Sequence, residues 1–528
     1  MKFYTNIQQY NNVIFERYIE DGVHKQREVP YQPTLYVPTV KQSPFKTIKG
    51  ERVEPRGFNS IKEARDFIQA RDKTSNTKVY GMQQFAYAYI QEQYPVREFD
   101  VNQLNVLNFD IETRSDEGFP NIAEADMDIL SIAVRQNGKS YILGCGEYKP
   151  SGDDKYIKCV NESDLLHKFI DLWKALDPDI VTGWNVEMFD IPYLVNRIKR
   201  RLSTEAANEL SPWGIVKDRL IPTAQTQAQG DAAQPNAKEI IGITVFDYMN
   251  LYKKFTYSQQ ESYALDYIGQ AELGEKKLDY SEYGTLNDLY KNDYQKFLDY
   301  NIKDVVLVER LDDKMKLIEQ ACTIAYDAGV NLIDSMTSVR MWDVIIHNFL
   351  MEKQIIVPPK EFGEKENQVE GAYVKDPQVG MHKWVVSFDL NSLYPHLIMQ
   401  YNISPETYVR NIGTRPTADE IIAGLYNNEN IKKYMKEHNV SVCGSGAMYT
   451  KDFQGFLPKL MEKMYNDRVE WKTQMIEAKK KYEETPTREL EYEIAKCNNM
   501  QMAKKIQLNS AYGALGNQYF RFFDTKYA

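Results

Sequence analysis

Three separated stretches carry carboxylates at spacings that suit a divalent cation. In VLNFDIETRS, Val106 to Ser115, strand alternation puts Asp110 and Glu112 on one face, with Phe109 and Ile111 on the other. Two such carboxylates can hold a cation from one side, and the same pattern also makes the polar face of an edge strand. In PDIVTGWNVEMFDIPYL, Pro178 to Leu194, a buried strand, Asp179 to Thr182, ends at Gly183. Asn185 and Asp190 follow, and Pro192 sits where a helix can begin, predicted over Leu194 to Leu202. Asp190 is either a further cation ligand or the cap of that helix. In DYNIKDVVLV, Tyr300 and Asp304 are four residues apart, so they share a face of the helix predicted over Lys291 to Met315. A solvated helix face explains that pair equally well alone. Three acidic elements of this kind, in this order, are hard to produce by chance.

A fourth carboxylate lies in SFDLNSLYP, Ser387 to Pro395. With Val385 and Val386 before it, the run reads as a buried strand ending in an exposed Asp389. A turn of small and polar residues follows, stiffened by Tyr394 and Pro395. A carboxylate beside free backbone N–H groups suits a cation bound to phosphates, and a capping Asp at a strand corner is the plainer reading.

Cations appear further on. LPKLMEKMYNDRVEWK, Leu457 to Lys472, opens a long charged helix that breaks at Glu483 to Pro486, and a second helix runs from about Glu489 to Gly513. A short turn between them makes an antiparallel hairpin. Arg468 and Lys472 share a face of the first helix; Lys505, Asn509 and Tyr512 share a face of the second. Facing cations of this kind clasp a triphosphate, or simply stay solvated.

The elements around these residues follow from composition and punctuation. The 528 residues are enough for three to five domains, and 43% hydrophobic content with 37 tyrosines indicates packed globular domains. Residues 1 to about 100 combine short strands (Asn12 to Tyr18, Thr34 to Val40) with a helix over Ser60 to Arg71 and carry no catalytic constellation. AQTQAQGDAAQPNA, Ala224 to Ala237, is polar and low in complexity. It reads as the tip of a hairpin whose strands are Gly214 to Ile221 and Glu239 to Phe246. A helix is expected over Leu332 to Met351, and GAYVKDP, Gly371 to Pro377, leads into the Asp389 strand.

The net charge of −10 argues weakly against a nucleic-acid partner, but a binding groove needs only a local patch. From Lys459 onward Lys and Arg number 13 against 10 Asp and Glu. Five scattered cysteines without a C-x-x-C pair point away from disulfides and zinc and toward a reducing compartment. With no apolar leader and no run of membrane-spanning length, the expectation is a soluble, cytoplasmic protein.

Together the motifs resemble those of the family B replicative DNA polymerases, most closely of T-even-like tailed bacteriophages. FDIE (Phe109 to Glu112), GWNVEMFDIPY (Gly183 to Tyr193) and YNIKD (Tyr300 to Asp304) are similar to the three exonuclease motifs. SFDLNSLYP is similar to the first palm motif, and KKIQLNSAYGALGN, Lys504 to Asn517, to the fingers motif. The resemblance implies an α/β multidomain fold. Residues 1–100 would form a β-rich N-terminal domain completed by about 317–360, and residues 101–316 a ribonuclease-H-like 3′→5′ exonuclease. Residues 361–454 would be the first part of the palm, 455–517 the helical fingers, and 518–528 the start of a return to the palm.

It also implies roles. Asp110, Glu112, Asp190 and Asp304 would bind two Mg2+ ions about 4 Å apart, with Mn2+ able to substitute. Tyr300 would orient the attacking water or the scissile phosphate, and Asn185 and the hairpin at 214–246 would handle a frayed primer end. Asp389 and the Leu390 carbonyl would bind the polymerase metals, and the backbone N–H groups of Ser392 and Leu393 would meet triphosphate oxygens. Tyr394 would exclude a 2′-hydroxyl. Arg468, Lys472, Lys505 and Asn509 would grip the triphosphate as the fingers close, while Tyr512 and Gly513 would check the nascent base pair. The implied partners are primer-template DNA, deoxynucleoside triphosphates and replisome proteins including a clamp, without a membrane, in the host cytoplasm.

One part of the family pattern is absent. No Tyr-Gly-Asp-Thr-Asp sequence occurs; the D-x-D sequences are Asp126 to Asp128 and Asp177 to Asp179, both in the exonuclease half. One palm carboxylate does not hold two metal ions for in-line transfer. The chain alone is therefore expected to degrade single-stranded DNA but not to extend primers, with synthesis requiring a separate C-terminal polypeptide. A stand-alone exonuclease with vestigial polymerase elements, or a fragment, is the alternative. Apolar residues near Ala511 to Leu515 and Tyr519 to Phe523 are expected to be left exposed.

Overall fold

Val106–Thr113 (β1) forms the strand its alternation predicts, because it has a neighbour on each side. In the computed structural model β1 pairs antiparallel with Ile129–Gln136 (β2), which pairs antiparallel with Lys139–Gly144 (β3). Lys155–Lys158 (β4) adds in parallel to β3. On the other side of β1, Ile180–Gly183 (β5) runs parallel to it. The structure describes residues 1–528 except 75–77, 116–117, 119, 223–234, 257–258, 361–373, 391, 413–416, 426–427 and 525–528. It divides into two compact units: residues 1–29, 96–322 and 331–336, and residues 30–95, 323–330 and 337–528. Residues 1–100 are thus shared between the units.

In the first unit a short antiparallel ribbon, Val216–Arg219 (β6) with Ala237–Ile240 (β7), stands apart from the main sheet. Thr244–Asp247 (β8) completes the six-stranded order β4-β3-β2-β1-β5-β8 by pairing in parallel with β5. The run expected as one hairpin strand, Glu239 to Phe246, is therefore two strands in two sheets. Gly242, at φ +90, turns the chain between them. The predicted tip lies mostly outside the described residues, as do Gly371 to Tyr373.

Glu162–Leu176 (α1) and Asp190–Arg201 (α2) cover one sheet face over Leu107, Phe109 and Ile111. Helix α2 begins at Asp190, four residues before its predicted start, with Pro192 in its first turn, where a missing N–H costs nothing. Asp247 caps Tyr248–Phe255 (α3). The helix expected over Lys291 to Met315 is broken at Asp293, which caps Tyr294–Met315 (α4) through the Lys296 N–H. A three-stranded sheet of Lys2–Tyr10, Val13–Glu20 and Val23–Pro30, in that order, completes this unit.

In the second unit Thr34–Pro38 pairs with Val53–Gly57, and Ile355–Ile356 with Lys46–Thr47. Helix Ser338–Met351 (α5) follows a short turn, Leu332–Met336 of the first unit, so the expected single helix over Leu332 to Met351 is two. Leu393–Tyr401 (α6) precedes a small sheet of Tyr408–Asn411, Ala447–Thr450 and Val440–Val442. Phe456–Glu484 (α7) and Arg488–Leu515 (α8) form the predicted helical hairpin.

Two expectations fail here. Val385 to Leu390 is neither strand nor buried: Val385 is 77% and Phe388 91% exposed. Among the described residues no strand pairs with this run, and its apolar side chains stand uncovered. Conversely, the terminal apolar residues are buried. Phe520, Phe522 and Phe523 pack inward, Arg521 pairs with Asp343 through bonds of 2.6 and 2.9 Å, and Tyr519 alone of that run is exposed.

Candidate active site

Three of the expected carboxylates, Asp110, Glu112 and Asp304, converge in the first unit. Sheet pairing sets Asp110 beside Ala133 and Glu112 beside Ser131, so both point off the face opposite the Phe109 core. Helix α4 crosses that face and brings Tyr300, Asn301 and Asp304 to it. Carboxylate oxygens of Asp110, Glu112 and Asp304 lie within 4.8 Å of one another. Asp110 and Glu112 keep some exposed surface, whereas Asp304 is buried. Asp304 Oδ1 is buried without a hydrogen-bond partner, an arrangement that costs free energy unless a cation meets it. The donor set, all carboxylate oxygen, suits a hard divalent cation.

Asp190 is buried beside this group rather than within it. Its Oδ1 accepts from the Ile111 N–H at 3.1 Å, locking the start of α2 onto β1. It is therefore not the cap of its own helix, whose N-cap position is Phe189. Gly183 lets the strands approach: a Cβ there would stand 2.5 Å from the Phe109 carbonyl oxygen. Asn185, at φ +63, occupies the left-handed region, and its N–H donates to Asp247 Oδ1 at 3.2 Å.

Two residues had no role assigned from the sequence. Asn301 donates to Asp110 Oδ2 at 2.7 Å and accepts from Ser131 Oγ at 2.9 Å, fixing the Asp110 carboxylate. It lies inside the YNIKD motif, so its neighbours were the signal. Lys277 donates through Nζ to Asp304 Oδ2 at 2.5 Å and to the Tyr300 hydroxyl at 3.0 Å. It comes from an irregular loop pinned by its N–H to Asp266, and no periodicity pointed to it.

The electrostatics follow. Burial, then the charge of Asp304, pushes Glu112 up to about 8. Burial, opposed by backbone N–H bonds, pushes Asp190 up to about 7. Asp110 is held well above the usual carboxylate range by burial and by Asp190, Asp304 and Glu112. Burial works against the Lys277 ammonium, but Asp304, Tyr300 and Asp110 outweigh it and keep it charged. One lysine faces four carboxylates, so the site favours further positive charge.

The polymerase-type residues lie in the second unit. Ser392, at φ +54, precedes α6, and Arg468 Nη1 on α7 donates to its Oγ at 3.2 Å. The Tyr394 ring stacks on Tyr512 of α8 at 4.8 Å with planes 6° apart. Leu393, Lys472, Asn509 and Gly513 are exposed and Lys505 half-buried. Asp389 and Leu390 stand in the exposed run and join no carboxylate group among the described residues.

Comparison with known proteins finds two family matches along the chain. The model for the family B DNA polymerase exonuclease domain matches residues 51–268, and the model for DNA polymerase family B matches residues 330–528. Tyr300 and Asp304 fall between the two matches. A DNA-directed DNA polymerase of Escherichia phage RB69 is 30% identical over 100% of this chain and 64% of its own length. That of Enterobacteria phage T4 is 31% identical with the same coverage. The DNA polymerase delta catalytic subunit of Dictyostelium discoideum is 26% identical over 78% of this chain and 36% of its own. The chain thus spans 64% of the length of the phage relatives. No described helix is long and apolar enough to cross a membrane.

Proposed function

The chain belongs to the family B DNA polymerases, and from that premise we propose that its carboxylate cluster hydrolyses DNA from the 3′ end. The convergence of Asp110, Glu112 and Asp304, with Asp304 Oδ1 orphaned, is the observation that carries this reading. Those three, with Asp190 beside them, would hold Mg2+. When bound, Mg2+ supplies an activated water and stabilises the departing 3′-oxygen. Tyr300 accepts from Lys277, which leaves its own hydroxyl proton to donate to a phosphate oxygen or the attacking water. Asn301 holds Asp110 in one orientation, and Lys277 offsets part of the clustered charge. Asn185 presents its side chain from a loop fixed at its N–H.

For synthesis, the support is the gathering of Ser392, Arg468, Tyr394 and Tyr512 where a triphosphate and sugar would sit beside Lys472, Lys505 and Asn509. Asp389 and the Leu390 carbonyl would bind the metals there. Primer extension on this reading needs a second palm carboxylate from outside these residues, whether on the same chain or on a partner polypeptide. A domain order of exonuclease, partial palm and fingers, replisome and clamp partners, and action in the host cytoplasm belong to the same reading. The test is hydrolysis of a labelled single strand. Mg2+-dependent release of mononucleotides from the 3′ end, abolished by chelation and by Asp110→Asn, is expected. Hydrolysis undiminished in Asp110→Asn would sink the assignment.

A further inference from the structure

The first unit holds a cavity of about 570 Å³ between the sheet and the C-terminal half of α4. Asn108 and Arg135 line it from β1 and β2, and Glu309 and Asp312 from α4. None of Asp110, Glu112, Asp190 and Asp304 lines it. Asn108 is 5% exposed, and its Nδ2 donates to the Val305 carbonyl of α4 at 2.6 Å. Its Oδ1 is buried without a hydrogen-bond partner, a costly state for an amide oxygen. The lining carries four carboxylates, Glu309, Asp312, Asp313 and Glu319, against two cations, Arg135 and Lys316. Arg135 is engaged by Glu309 and donates to Ser140 Oγ at 2.8 Å, and Lys316 stands 3.6 Å from Asp313. Asp312 Oδ1 accepts the Ile318 N–H at 3.1 Å, and burial pushes its carboxyl above the usual range. A net negative cavity with a buried acceptor on its wall favours positive charge and N–H donors.

We propose that this cavity binds a linear alkyl polyamine, with one ammonium group on Asn108 Oδ1 and another among the carboxylates of Asp312, Asp313 and Glu319. An ammonium group brings several donors and no acceptor, so it answers both the amide oxygen and the carboxylates. An anionic ligand would be repelled by the same carboxylates. A single small ion would not meet both ends. Asp312 follows Val305, the partner of Asn108, by seven residues, which is about 10 Å of helix. A flexible chain with a nitrogen at each end spans that interval, and the cavity has the volume to hold it.

The test is calorimetric titration of spermidine into the full chain at low ionic strength, with triethylene glycol, a neutral chain of similar length, as the control. A single equivalent of spermidine is expected to bind, and the glycol is expected not to. Asp312→Asn removes the charge but keeps an acceptor for the Ile318 N–H. It should weaken binding about ten-fold, the scale of a charge-assisted hydrogen bond. Asn108→Leu, close in volume, should weaken it by a similar factor. A thermal melt without spermidine checks that this variant folds; if it does not, Asp312→Asn decides. Asp110→Asn should bind as the wild type does. The proposal is overturned if spermidine does not bind, or if Asp312→Asn binds as tightly as the wild type. Binding lost in Asp110→Asn would put the amine at the carboxylate cluster and overturn it as well.

Discussion

Two runs of this chain are alike on paper, each an apolar stretch entering an aspartate: VLNFD at Val106 to Asp110 and VVSFD at Val385 to Asp389. The first is a strand with Phe109 fully buried; the second is irregular with Phe388 91% exposed. The difference is not propensity. β1 has β2 and β5 to take its backbone hydrogen bonds, and α1 and α2 to cover its apolar face. No described strand lies beside the second run. A strand is a property of its neighbours as much as of its own residues, and an aspartate is aimed only as well as the strand that carries it.

That contrast can be broken, most sharply through activity. Asp110→Asn should lower single-strand hydrolysis by about 10³-fold, the scale of a lost metal ligand, with the circular dichroism spectrum unchanged. Asp389→Asn should leave that rate alone. Equal losses would show that the two aspartates are not separately organised.

Stability gives the next test. Phe109→Ala should cost about 3–5 kcal/mol in urea denaturation of the exonuclease unit, whereas Phe388→Ala should cost less than about 0.5 kcal/mol. A large cost at Phe388 would mean that the run is covered in solution. Chymotrypsin should accordingly cut first near Trp384 and Phe388.

Lys277→Met removes the cation between Asp304 and Tyr300. It should lower hydrolysis about 10-fold or more and destabilise the metal-free protein by about 1–3 kcal/mol, since a largely buried carboxylate loses its hydrogen-bond partner. Thermal melts with and without Mg2+ would read this, the deficit shrinking when the ion is present.

The smallest effect concerns the anchoring of β1. His24 bonds to Asp179 at 2.8 Å, and Asp179 in turn accepts from the Asn105 N–H just before β1. The Asp179 hydrogen bond holds the His24 imidazole above its usual value, against burial. The folded state therefore binds the proton more tightly. The stabilisation is complete below about pH 6.5 and fades as pH rises through the raised folded value. His24→Gln should cost about 1 kcal/mol near pH 6 and almost nothing near pH 9, by denaturant titration at each pH.

What the amino acids determined unaided is whatever depends on the chain's own period. The four-residue spacing of Tyr300 and Asp304 and the long helices on either side of Pro486 needed nothing distant. Family motifs added the order of the elements. Tertiary structure decided the rest. It brought Lys277 from a loop to Asp304, turned Asp190 onto the Ile111 backbone, divided Glu239 to Phe246 between two sheets and buried Phe520 to Phe523. It also left Val385 to Leu390 uncovered. The physical reason is that backbone geometry repeats locally, whereas a cation's choice of carboxylate, or a strand's choice of neighbour, is made between residues far apart in the chain. Packing and charge fix those choices only once both partners are in place.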